Sequence, residues 1–108
     1  MFTVIGKKSR ISLLGGDIYP PDHDVIYHLA ELYAKNHPEM HEGNNCGHRK
    51  RFRNGITNGA DWYVIEGSMQ DYNYFISNAI ELSVELSCCK YVPENQLSVE
   101  WKKVPYLH

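Results

Sequence analysis

Hydrophobic and polar residues alternate strictly over one stretch in the C-terminal part of the chain. From Ala79 to Ser87 every second residue is aliphatic, and the residues between are carboxylates or hydroxyls. The aliphatic set is Ile80, Leu82, Val84 and Leu86, and the polar set is Glu81, Ser83, Glu85 and Ser87. This period of two predicts a strand with one apolar face, whose register is fixed because a one-residue slip would bury the glutamates. The polar face is either an ordinary solvated face or the floor of a cleft.

A second pattern, with helical spacing, begins after residue 20. Pro20, Pro21 and Asp22 are typical of a helix start, with the aspartate expected to cap free amides. One apolar stripe follows, formed by Val25, Ile26, Leu29, Leu32 and Tyr33. We predict that this packing helix ends at Asn36 and His37, because Pro38 disfavours a helical residue before it.

Shorter patterns predict the remaining elements. The apolar runs 2–5, 11–14 and 62–65 are strand-like and end in glycine or charged residues. Residues 69–76 predict one or two helical turns, and Pro93 starts a last helix that ends near Val104. Together these elements predict a chain that contains both strands and helices.

Length and charge narrow the functional classes. The chain has 108 residues, which is the size of one domain over residues 1–108, and a net charge of -2. We therefore expect no nucleic-acid partner, and we interpret the basic run 48–53 as a solvated loop. No run reaches the roughly 20 apolar residues of a membrane helix, so we expect no membrane segment. The apolar start followed by Gly6, Lys7 and Lys8 is the reverse of a signal peptide, so the chain as written carries no secretion signal.

Histidines and cysteines cluster around one polar segment. His37, His41, Cys46 and His48 resemble zinc ligands, but Pro38 interrupts their spacing, and a loop held by a disulfide is the favoured interpretation. His28, within the predicted helix, is interpreted as a surface or hydrogen-bonded histidine.

The three cysteines are Cys46, Cys88 and Cys89, and an odd count leaves at least one unpaired. The vicinal pair on a strand would point to opposite faces, so one cysteine can pair with Cys46 while the other packs. Cys46–Cys88 is retained as a possible disulfide.

Several local motifs resemble one enzyme family. They are Asn58-Gly59-Ala60, Trp62-Tyr63, the run GSMQDYNY at 67–74 and the run ELSCCK at 85–90. In order and spacing they resemble the zinc metallocarboxypeptidases (peptidase family M14), in particular the N/E regulatory subfamily with carboxypeptidases D, E, M, N and Z. The resemblance runs from about residue 21 to 101, which corresponds to the last third of that family's catalytic domain.

The resemblance implies an α/β fold, in which part of a mixed β-sheet carries helices on its faces. It also implies a function and a set of site residues. The family uses one zinc ion to hydrolyse C-terminal residues, here basic ones (Lys or Arg), so the expected partner is the C-terminus of a peptide or protein. Glu85 matches the general acid/base, and Tyr63 matches a mobile tyrosine that closes over the substrate. Gln70 matches a residue lining the pocket for the C-terminal side chain. The subfamily has cysteines at similar places, which implies an oxidising, extracellular or secretory compartment.

The chain also departs from the family pattern. Leu14 stands where a Leu-His-Gly-Gly motif has its histidine. Nothing upstream matches the family's His-x-x-Glu pair or its later zinc-ligand histidine, and the arginines that grip the substrate's carboxylate have no motif match. Ser68 replaces a usual glycine and Ala79 a usual cysteine. We therefore expect no recognisable zinc ligands and no activity of the chain alone, as in a fragment, an incomplete gene model or a degenerate homologue.

An alternative from another class remains open. The chain is then a non-catalytic binding module for peptides or proteins, with Trp62, Tyr63, Tyr72 and Tyr74 as its aromatic face. In that case Glu85 is an ordinary solvated carboxylate and Tyr63 a half-buried strand residue.

Overall fold

A computed structural model describes residues 2–5, 19–43, 46, 52–59 and 68–104 of the chain. The strands in this part are β1 (Phe2–Ile5), β2 (Ile56–Asn58) and β3 (Leu82–Glu85). The helices are α1 (His23–Asn36), α2 (Met69–Ser77) and α3 (Glu94–Lys103). Two short 3₁₀ turns lie at Met40–Glu42 and Arg53–Gly55. The mixture of helices and strands confirms the α/β class, and all three helices lie where the sequence predicted them.

The strands pair in the order β2-β1-β3. β1 runs parallel to β2, with Thr3 opposite Ile56, and antiparallel to β3, with Phe2 opposite Glu85. Helix α1 connects the two parallel strands and packs against both of them. The arrangement is a βαβ unit with one antiparallel strand added beside β1.

β3 is shorter than the predicted strand from Ala79 to Ser87. It pairs with β1 over four residues, from Leu82 opposite Ile5 to Glu85 opposite Phe2. Within this ladder the predicted alternation holds: Leu82 and Val84 pack against the core, while Ser83 and Glu85 are exposed. The predicted burial of Ile80 and Leu86 is wrong, since both lie outside the ladder and are about 40% exposed.

The buried face of α1 differs from the predicted apolar stripe. Ile26, Ala30 and Ala34 are at most 3% exposed, at a spacing of four residues. Of the predicted stripe only Ile26 is fully buried; Val25, Leu29 and Leu32 are exposed. Alanines on the inner face let the helix backbone approach the sheet closely, and this turns the larger aliphatic side chains outward.

The two ends of α1 are held differently. The predicted cap by Asp22 is wrong, because its side chain bonds none of the helix amides. Instead the Tyr74 hydroxyl donates to Asp22 Oδ2 at 2.9 Å, and the Asp22 N–H contacts the same hydroxyl oxygen at 3.3 Å. Desolvation raises the pKa of Tyr74, so it stays a donor in neutral solution. At the other end the helix stops before Pro38 as predicted, with the His37 N–H bonded to the Tyr33 carbonyl.

Beyond α1 the chain makes a tight backbone contact around Met40, which is completely buried. Gly43 and Gly55 have φ values of +69° and +71°, the left-handed region that favours glycine. A Cβ atom on Gly55 would overlap the carbonyl oxygen of Met40, and one on Gly43 would overlap that of Phe52. The two 3₁₀ turns therefore pack backbone against backbone, and β2 starts directly after the second turn.

Two predicted strands, at 11–14 and 62–65, lie outside the residues that the structure describes. None of the helices in the described part is long and apolar enough to cross a membrane.

The close contact between Gly55 and the Met40 carbonyl predicts that a methyl group added at Gly55 strongly destabilises the chain. Gly55→Ala should lower the free energy of unfolding by about 3 kcal/mol, because it adds left-handed strain to a steric overlap with Met40. Urea unfolding followed by circular dichroism measures the change.

The neighbouring Asn54 offers a matched control, since it also has a positive φ, of 57°. Asn54→Gly relieves left-handed strain and should change the stability by no more than about 0.5 kcal/mol. Equal effects of the two substitutions would contradict the packing of the turns.

Candidate active site

The candidate catalytic carboxylate lies at one end of the sheet. Glu85 is the last paired residue of β3, opposite Phe2, and its side chain is exposed beside that of Ser83. Leu82 and Val84 on the other face of β3 pack against the core. This packing fixes the orientation of the strand, so its polar face is turned to solvent. A solvent-facing carboxylate on a fixed strand can exchange protons with a bound molecule.

Helix α2 precedes this strand and is closed at both ends. Ser68 is its N-cap, accepting a hydrogen bond from the Asp71 N–H at 3.2 Å. The residue that departs from the family's glycine therefore has a local role. At the other end Asn78 adopts a left-handed conformation, and the Ala79 N–H donates to the Asn73 carbonyl at 3.0 Å.

Two amide side chains connect α2 to the residue before β3. Gln70 Nε2 donates to the Glu81 carbonyl at 3.0 Å, and Asn73 Nδ2 donates to the Glu81 carboxylate. Gln70 and Asn73 are three residues apart and so lie on one side of the helix. We call these three residues the α2–β3 clamp. It fixes the chain one residue before the strand that carries Glu85.

The structure gives different amounts of information on the predicted site residues. Gln70 is only 8% exposed, and its amide nitrogen is bonded to the clamp, while Met69 beside it is 64% exposed. The predicted contact of Gln70 with the substrate stays a prediction. Tyr63 lies outside the described residues. Glu81, which belongs to the same predicted polar set as Glu85, accepts both hydrogen bonds of the clamp.

A disulfide lies close behind Glu85 in sequence. Cys46 and Cys88 are bonded, with their Cα atoms 5.0 Å apart and a sequence separation of 42. The bond fastens the segment after the first 3₁₀ turn to the chain just beyond β3. The adjacent Cys89 is an exposed free thiol.

Zinc ligands do not assemble in the described part of the chain. No group of three or more His, Cys, Asp or Glu residues in this part could hold a metal ion. The disulfide removes Cys46 as a thiolate ligand, and His37 Nδ1 already accepts hydrogen bonds from two backbone amides. The residues in this part therefore do not fit a zinc site.

One pair of residues has the spacing of a zinc-binding motif but was not predicted as a site from the sequence. His28 and Glu31 form the single His-x-x-Glu spacing in the sequence. In the structure they lie on α1, where His28 is exposed and Glu31 pairs with Lys35 at 3.2 Å. No third ligand joins them among the described residues.

The structure has an apolar groove of about 530 Å³, and Leu86, the residue that follows Glu85 in sequence, is part of its lining. Its lining includes Leu86, Val92, Leu97, Trp101 and Val104. α3 forms one wall of this groove and has no buried residue of its own.

Comparison with known proteins decides the family. The zinc carboxypeptidase profile (Peptidase_M14) matches residues 6–105, which is nearly the whole chain. The chain belongs to the zinc carboxypeptidase family.

Curated zinc carboxypeptidases align with three quarters of the chain. Carboxypeptidase D from Drosophila melanogaster is 52% identical over 83 residues, 77% of this chain and 6% of that protein. Carboxypeptidase M from Mus musculus is 48% identical over 81 residues, 75% of this chain and 18% of the relative. The human carboxypeptidase N catalytic chain is 46% identical over 81 residues. The chain spans less than a fifth of the length of these relatives.

The clamp predicts that Gln70 contributes to stability. Gln70→Ala should lower the free energy of unfolding by about 1–2 kcal/mol, because it removes a largely buried hydrogen bond to the Glu81 carbonyl. Urea unfolding measures the loss. Gln96→Ala, at an exposed glutamine of α3, is the control and should stay within about 0.5 kcal/mol of the unsubstituted chain. If the Gln70→Ala chain were as stable as the control, this would contradict a stabilising role of the clamp.

Proposed function

We propose that this zinc carboxypeptidase chain belongs to the N/E regulatory subfamily and serves in the hydrolysis of C-terminal Lys or Arg residues from peptides and proteins. The family match over residues 6–105 carries the proposal. The similarity to carboxypeptidases D, M and N supports the subfamily. Exposure of Glu85 at the end of a paired strand supports its role.

Glu85 acts as the general acid/base in this proposal. Its carboxylate accepts a proton from the water that adds to the scissile carbonyl carbon. It then gives that proton to the nitrogen of the leaving amino acid as the C–N bond breaks. A positioned carboxylate is suited to both transfers, and the clamp and the disulfide restrain the chain on either side of β3.

Tyr63 and Gln70 contact the substrate in this proposal. The Tyr63 hydroxyl hydrogen-bonds the terminal region of the peptide. The Gln70 amide nitrogen is engaged with Glu81, so its carbonyl oxygen is the group left to accept a hydrogen bond from a Lys or Arg side chain.

Zinc is implied by the family, while the described residues form no group of three or more ligands that could hold it. We therefore propose that the 108-residue chain alone does not turn over substrate. The Cys46–Cys88 disulfide supports an oxidising, extracellular or secretory location.

A chimera tests this function directly. The aligned 81-residue segment of mouse carboxypeptidase M is replaced by the corresponding residues of this chain. We expect the purified chimera to release C-terminal Arg and Lys from reporter peptides faster than C-terminal Leu, and to lose this activity with a chelator. Glu85→Gln in the chimera should lower kcat/KM by about 10²–10⁴-fold, because it removes general acid/base catalysis.

Glu94→Gln, at an exposed carboxylate of α3, is the control and should leave kcat/KM unchanged. A folded chimera in which Glu85→Gln is as active as Glu94→Gln would contradict the assignment of Glu85. The same assay on the 108-residue chain should show no release.

The second candidate is a non-catalytic peptide-binding module. The apolar groove next to Glu85 favours it. Of the predicted aromatic face, Trp62 and Tyr63 lie outside the described residues, Tyr72 is exposed, and Tyr74 bonds to Asp22. Binding of an Arg-ending peptide to the 108-residue chain in the presence of chelator, without hydrolysis in the chimera, would support this candidate instead.

A further inference from the structure

His37 is a buried histidine to which the proposed reaction assigns no role. It follows the last residue of α1 and is 1% exposed. Its Nδ1 accepts two hydrogen bonds, from the Glu39 N–H at 3.2 Å and the Met40 N–H at 3.1 Å. The ring therefore joins the end of α1 to the first 3₁₀ turn.

These bonds require a neutral ring. With Nδ1 as the acceptor, the ring proton lies on Nε2, which is buried and has no hydrogen-bond partner among the described residues. A second proton can only enter at Nδ1, where it would face the two N–H donors. Protonation therefore breaks both bonds and places a charge on a buried ring.

The surrounding charges do little to stabilise an imidazolium. Glu39 and Glu100 favour the charged form, while Lys103 and the chain's amino terminus oppose it. Lys103 Nζ also pairs with Glu39 at 3.1 Å and with Glu100 at 3.3 Å, so both carboxylates are already engaged. On the other side, His41 Nδ1 lies 3.1 Å from the His37 carbonyl oxygen.

Burial is the largest of these effects, and it lowers the pKa of His37 below the usual 6.5. The folded state therefore binds the proton more weakly than the unfolded state does. Stability contributed by neutral His37 is complete above pH 6.5 and is lost as the pH falls toward the lowered pKa.

We propose that the junction from His37 to Met40 is an acid-sensitive switch in the fold. Protonation of His37 removes its ring as the acceptor for the Glu39 and Met40 amides, and this weakens the backbone contact between Met40 and Gly55. The Cys46–Cys88 bond keeps the freed segment attached near the end of β3. Acid therefore loosens the α1–β2 connection without releasing it from the chain.

The test uses the disulfide-bonded 108-residue chain at pH 8.0 to 5.0. Urea unfolding followed by circular dichroism gives the folding equilibrium constant at each pH. His37→Asn is the informative variant, because its Oδ1 can accept the same two amides but does not titrate. His28→Asn, at an exposed histidine of α1, is the matched control.

Below pH 6.5 the folding constant of the unsubstituted chain and of His28→Asn should fall more steeply than that of His37→Asn, by up to tenfold per pH unit. The same pH profile in all three chains would overturn the proposal.

A second readout covers the case in which His37→Asn does not fold. The His37 ring carbons, followed by NMR in the unsubstituted chain, should show the neutral Nε2–H form at pH 7. The Met40 amide resonance should disappear or shift together with ring protonation below pH 6.5. Ring protonation with an unchanged Met40 amide overturns the switch. A chain that is already unfolded at pH 8.0 also overturns it, because a switch requires a folded neutral state.

Discussion

The structure depends on the burial of Met40 between α1 and the turn that leads into β2. Met40 is fully buried, its amide is held by His37, and its carbonyl lies against Gly55 with no room for a Cβ atom. Close-packed interiors do not tolerate added volume, so Met40 and Gly55 hold the two 3₁₀ turns together. β2 begins at the residue after Gly55 and pairs in parallel with β1.

The candidate active site lies on the other side of β1 from this contact. β3 pairs with β1, and the α2–β3 clamp and the disulfide restrain the chain before and after it. Glu85 is thus exposed but not on a free loop. This combination is what a proton-transferring carboxylate needs, since catalysis depends on position as well as on charge. The carboxylate that we propose as the general acid/base is thus held in place although the described residues form no zinc site.

Local signals in the sequence predicted the local structure. The proline-rich start and Pro38 bracket α1, the alternation around Leu82 and Val84 gave the inward face of β3, and Pro93 marks the start of α3. The errors are all tertiary. Which face of α1 is buried depends on how closely its alanines approach the sheet, and Asp22 bonds a tyrosine 52 positions away. The buried state of His37 and Met40 has no periodic signature, because both follow the end of the helix. The family motifs supplied the candidate site, which periodicity alone could not distinguish from a solvated face.

Many large hydrophobic side chains of the described part remain exposed, including Phe75, Ile76 and Trp101. The small core around Met40 must therefore carry much of the stability. Native-state amide hydrogen exchange of the oxidised chain at pH 7.5 tests this most directly. We expect the free energy of opening for exchange of the Met40 amide to equal that of the slowest amides of β3, because both exchange only when one cooperative unit unfolds. Met40 exchange as fast as that of exposed turn residues such as Glu42, with β3 still protected, would contradict it.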